Sequence, residues 1–126
     1  MAEGILRSID KSLEIYSAGV MPATRISSKA VQVMKEIGID ISGQKPKSVE
    51  EFLDKEFDYV ITLCDNARET CPVFTGNVKL RLHIGFEDPY AFEGNVEDSI
   101  NKYREVRDSI EDEFKNFYQK YIKGVL

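Results

Sequence analysis

Apolar residues fall on helical spacing in several stretches of the chain. Met1, Ala2, Ile5, Leu6, Ile9 and Leu13 form the stripe of an amphipathic helix over residues 1–13, although nothing ahead of it serves as an N-cap. A second helix is expected from about Ser27, with Ser27 or Ser28 as cap, Ala30, Val31, Val33, Met34 and Ile37 available for burial, and Gly38 as its stop. Ser48 to Leu53 carries the Ser-x-x-Glu pattern of a capping box and predicts a short helix. The longest pattern is Ile100, Tyr103, Val106, Ile110, Phe114, Phe117 and Tyr121, repeating at threes and fours from Val96. Gly124, after lysines at 120 and 123, is its expected end. An aromatic stripe of this kind is core packing rather than a cofactor box.

Three stretches read as strands instead. Glu14 to Gly19 runs into a glycine turn. Tyr59-Val60-Ile61-Thr62-Leu63 is β-branched and apolar enough for a buried strand. Val78 to Ile84, where Leu80 and Leu82 alternate with Lys79, Arg81 and His83, predicts a weaker strand near a sheet edge. Strands that alternate with helices indicate an α/β fold, a parallel sheet with helices on both faces. Three strands are few for that architecture.

Composition narrows the class. At 126 residues and 42% hydrophobic content, a single domain over 1–126 is expected, with a real core and no apolar run long enough to span a membrane. A formal charge of −5 argues against a broad nucleic-acid-binding surface, while leaving room for a small anion held by local donors. No signal peptide is visible, and two cysteines do not make a secreted disulfide framework, so a cytoplasmic location is expected.

Those two cysteines carry the candidate chemistry. Cys64 directly follows the apolar strand, at the end where open α/β sheets place their ligands, and Cys71 lies seven positions on. If the segment between them were fully helical, they would sit about 10.5 Å apart along the axis at ~1.5 Å per residue. A disulfide needs Cα atoms within about 7 Å, so a bridge requires a non-helical or unwinding segment. On spacing alone, a redox pair and two inert cysteines are both open readings. Two cysteines and one histidine, His83, fall short of a structural zinc site.

Met-Ala-Glu-Gly at 1–4, Tyr-Ser-Ala-Gly at 16–19, Gly-Ile-Asp-Ile-Ser-Gly at 38–43, Thr-Leu-Cys-x6-Cys-Pro at 62–72 and Gly-Phe-Glu-Asp-Pro at 85–89 occur in this order over nearly the whole chain. Together they resemble the thioredoxin-coupled arsenate reductases built on the low-molecular-weight tyrosine phosphatase fold. The resemblance implies a three-thiol relay. A nucleophilic cysteine in a Cys-x5-Arg loop attacks arsenate, Cys64 is similar to the second thiol, and Cys71 is similar to the third, which leaves a disulfide for thioredoxin to reduce. Asp88 resembles the general acid that protonates the departing oxygen, although Asp-Pro by itself is also a plain turn initiator. The implied partners are arsenate or another small oxyanion and thioredoxin, with no bound cofactor. In some members a potassium ion steadies the nucleophile loop. Glu3 and Ser17 fall where two of its ligands would be, and Lys47 stands near a third, where its ammonium would replace the cation and remove potassium dependence.

One departure is large, because the 126 residues contain no Cys-x5-Arg. In the family that loop and a first strand come immediately before the Met-Ala-Glu-Gly helix, which implies a low-molecular-weight phosphatase-like sheet with its first central strand missing. The expectation is a member read from an internal methionine or deliberately truncated, inactive alone, and poorly stable or self-associating. Two other readings remain open: a low-molecular-weight phosphatase in which the cysteines are incidental, and a non-catalytic thiol-switch module.

Overall fold

A computed structural model describes residues 1–19, 27–63, 75–87, 89 and 94–123. The chain divides into two compact units, one of Met1–Tyr16, Ile26–Gln44 and Asp88–Leu126, the other of Ser17–Arg25 and Lys45–Glu87.

The first unit is helical. Its helices are α1 (Ala2–Ile9), α2 (Ser28–Lys35) and α3 (Val96–Phe117), and α1 and α2 both pack against α3. Ile5 of α1, Val33 and Met34 of α2 and Ile41 beyond it are fully buried, and Tyr103, Val106, Ile110, Phe114 and Phe117 form the buried stripe of α3. Gly4 lets α1 approach closely, since a Cβ there would come within 2.7 Å of Ile41 Cγ2.

The ends of these helices have local causes. The apolar stripe of residues 1–13 predicts a longer helix than forms. α1 stops at Asp10, whose Oδ1 accepts from the Ser12 backbone N–H at 2.9 Å and from its hydroxyl at 2.6 Å. This Asx turn offers the backbone an alternative to another helical turn. Gly38 ends α2 as expected, with φ +79°, its N–H donating to Lys35 O and that of Ile39 to Met34 O. That pair of bonds is a Schellman motif. Asn95 caps α3 by accepting from the Asp98 N–H at 2.8 Å. Past Phe117 the chain widens into a π-turn, Tyr118–Ile122, which buries Tyr118 and lets its hydroxyl donate to Asp10 Oδ2 at 2.7 Å. The expected stop at Gly124 lies outside the described residues.

In the second unit, Gly19 forms an isolated parallel bridge with Ser48. A 3-10 turn, Val49–Phe52, follows. Its capping box is complete: the Ser48 hydroxyl accepts from Glu50 N–H at 3.3 Å, and the Glu51 carboxylate accepts from Ser48 N–H at 3.2 Å. Phe52 meets Phe57 edge-on, ring centroids 6.3 Å apart. Strands β1 (Phe57–Thr62) and β2 (Val78–His83) pair in parallel from Phe57↔Val78 to Thr62↔His83.

Two strand expectations need correction. Residues 14–17 form no strand, because a strand exists only where its backbone groups find a ladder; here the Ile15 carbonyl accepts instead from the Arg7 guanidinium at 3.1 Å. β1 is not buried either. Its residues are half-buried except for exposed Asp58, so the sheet among the described residues is a two-stranded parallel pair.

Candidate active site

Parallel strands end together, and among the described residues the carboxyl ends of β1 and β2 are tied by four hydrogen bonds, the longest from Thr62 Oγ1 to Leu82 O at 3.5 Å. Ile84 N–H donates to Thr62 O at 3.0 Å and Phe86 N–H to Leu63 O at 2.7 Å. The fourth joins side chains, Thr62 Oγ1 and His83 Nδ1, at 2.7 Å. Leu63 therefore leaves the sheet from a fixed position, and the next residue along the chain is Cys64. Cys64, Cys71 and Asp88 themselves lie outside the described residues.

The remaining site candidates are distributed between the units. Glu3 belongs to the helical unit, where its carboxylate is buried and accepts from Arg7 Nη1 at 2.8 Å. Ser17 and Lys47 belong to the other unit. Ser17 is exposed, and Lys47 is half-buried with its carbonyl accepting from Gly19 N–H at 2.9 Å. A potassium ion sharing Glu3 would face a guanidinium already bound to the same carboxylate, and like charges at that distance repel. Glu3 does not fit a cation site in this arrangement. Among the described residues no group of three or more His, Cys, Asp or Glu could hold a metal ion.

Sequence patterning misses a charged cluster within the helical unit. Arg107 sits on the buried stripe of α3 and donates through Nη1 to Val33 O and to Glu36 Oε1, both at 2.8 Å. Its bond to Val33 satisfies a carbonyl in the last turn of α2, where helical partners run out. Glu36 also receives a two-nitrogen fork from Arg104, at 2.7 Å for the shortest bond. The Arg104 hydrogen bonds foremost, then those of Arg107, hold the Glu36 carboxyl down at about 2. The signal available in the sequence was an arginine at a helical position that faces the core.

Known proteins match the chain over nearly its full length. The family model described as low molecular weight phosphotyrosine protein phosphatase matches residues 1–125. A protein of Halalkalibacterium halodurans named arsenate reductase is 41% identical over 93% of this chain and 84% of its own length. One of the same name from Bacillus subtilis strain 168 is 37% identical over the same shares. Two solved structures superpose on 94% of this chain and 86% of theirs: an arsenate reductase in the oxidized state, TM-score 0.76 at 27% identity, and one in the phosphate-binding state, TM-score 0.75 at 28%. By descent and by fold, the chain belongs to the arsenate reductase branch of the low molecular weight phosphotyrosine protein phosphatase family.

Proposed function

We propose that this protein reduces arsenate to arsenite through a cysteine relay recycled by thioredoxin. The observation that carries the reading is the 41% identity to a named arsenate reductase over 93% of the chain. A cysteine pair beginning immediately beyond the tied end of β1 agrees with it.

In this reading a first thiol, supplied by a Cys-x5-Arg loop, displaces one arsenate oxygen, which leaves as water after Asp88 delivers a proton. The Cys64 thiolate attacks that first sulfur. A disulfide forms, the sulfur–arsenic bond breaks, and its electron pair stays with arsenic, which departs as arsenite. Cys71 then attacks Cys64, frees the first thiol and leaves a Cys64–Cys71 disulfide. Thioredoxin returns the two electrons by thiol–disulfide exchange. Such a cycle belongs in the cytoplasm, where thiols are kept reduced. Because the 126 residues lack the first thiol, the chain alone is expected not to turn over. Since Glu3 is already paired with Arg7, the rate is expected not to respond to potassium.

The test is arsenate-dependent NADPH oxidation with thioredoxin and thioredoxin reductase, using the chain fused to the upstream strand and Cys-x5-Arg loop of a relative. Cys64→Ser and Cys71→Ser should each reduce turnover to background. The family model's own description favours phosphate-ester hydrolysis as the second reading. Hydrolysis of an aryl phosphate at full rate by the double cysteine variant, with no arsenate reduction by the parent, would establish that reading instead.

A further inference from the structure

Asp10 uses both oxygens of its carboxylate, each for a different part of the helical unit. Oδ1 accepts from the Ser12 N–H and hydroxyl in the turn that ends α1. Oδ2 accepts from the Tyr118 hydroxyl at 2.7 Å, a residue 108 positions along the chain. Tyr118 opens the π-turn, and its own carbonyl accepts from Lys123 N–H at 2.9 Å, a bond that spans five residues instead of the four of an α-helix. Such turns are rare in helices, so something specific must favour this one. In an α-helix, residues five apart lie about 140° apart around the axis, at about 100° per residue. The wider turn instead stacks Lys123 over Tyr118, on the side that faces Asp10, and the lysine's charge acts on that carboxylate. The groups that act on Asp10 are thus Ser12 from its own turn, and Tyr118 and Lys123 from beyond α3.

We propose that the Asp10 carboxylate is the catch of a conformational latch in the helical unit. Ionised, it holds Tyr118–Ile122 in the π register through the Tyr118 hydroxyl and the Lys123 charge. Neutral, it releases them to the α register, which swings Lys123 away. The Ser12 hydroxyl bond foremost, then that of Tyr118, holds the Asp10 carboxyl below the ordinary carboxylate range. A carboxyl depressed in this way is fully engaged above its ordinary pKa and lets go as pH falls through the lowered folded value, so the latch opens on acidification.

The measurement is nuclear magnetic resonance on the 126-residue chain. An Overhauser contact from Tyr118 Hα to the Lys123 amide marks the π register, and one from Tyr118 Hα to the Ile122 amide marks the α register. Tyr118→Phe keeps the ring and loses the hydroxyl. Asp10→Asn keeps an acceptor oxygen for Ser12 N–H and loses the charge. Each should lower the π-to-α ratio about tenfold at neutral pH, the loss expected of a hydrogen bond to a charged group. Lys123→Met should lower it about threefold, since an exposed charge acts weakly through water. Ser12→Ala should leave the neutral-pH ratio unchanged and raise the pH at which it falls, because the Ser12 hydroxyl is the first cause of the lowered carboxyl.

Lys120→Met removes a charge from the same turn, one that stands over the Tyr121 ring, and should leave the ratio as in the parent. A parent without the Tyr118–Lys123 contact would overturn the proposal, as would a parent-like ratio in either Tyr118→Phe or Asp10→Asn. So would an equal loss in Lys120→Met, which would mean general loosening, or a parent ratio that holds on acidification until the chain unfolds.

Discussion

In the helical unit Ile5, Val33, Met34 and Ile41 are at most 1% exposed, whereas no residue of β1 or β2 is buried. The same chain thus holds its elements together in two ways. α1, α2 and α3 are fixed by apolar packing, with the Glu36, Arg104 and Arg107 cluster across α2 and α3. β1 and β2 are fixed by their ladder and by a few bonds at its ends. Hydrophobic stabilisation scales with area removed from water, so on the described packing the helices carry most of the stability. The strand ends, with less packing behind them, depend on individual hydrogen bonds to hold their geometry.

The difference is sharpest for one residue type placed in both regions. Ile110→Ala in the α3 stripe should lower the unfolding free energy by about 2–5 kcal/mol, from lost transfer energy and the cavity left behind. Ile61→Ala in half-buried β1 should cost less, about 1–2 kcal/mol. Chemical denaturation of the two variants checks this, and equal losses would break the comparison. In the capping box, Ser48→Ala should cost about 1 kcal/mol in the same measurement.

A smaller effect separates the cluster from the packing. Glu36 has a folded-state pKa of about 2, below its ordinary 4.5, with the hydrogen bond from Arg104 the largest cause. A carboxyl depressed in this way contributes stability that is fully present above its unfolded value and is lost as pH falls through its folded value. The fall should therefore run from pH about 4.5 to about 2, and Glu36→Gln should flatten that part of the curve. An unchanged slope between parent and Glu36→Gln would remove the carboxylate from the account.

Much of the helical unit is legible in the sequence because burial there is periodic: Tyr103, Val106, Ile110, Phe114 and Phe117 repeat at helical spacing and are buried. What the pattern misses is competition from side chains and backbone. Asp10 prefers a bond to Ser12 over continuing α1, the π-turn brings Tyr118 inward, and Arg107 enters the core because Val33 O and Glu36 await it. Residues 14–17 have the composition of a strand, yet composition cannot supply a ladder partner. The candidate site is legible through motif order, which points to Cys64, Cys71 and Asp88. The Thr62–His83 bond was not legible, because it joins residues 21 apart that only the parallel register brings together.

The most direct test of the central claim compares two proteins in the thioredoxin-coupled NADPH assay with arsenate. One is the 126-residue chain. The other is the same chain preceded by a relative's first strand and Cys-x5-Arg loop. The account predicts no arsenate-dependent oxidation from the first, turnover from the second, and its loss in Cys64→Ser. Turnover by the 126 residues alone, or turnover that survives Cys64→Ser in the fusion, would contradict it.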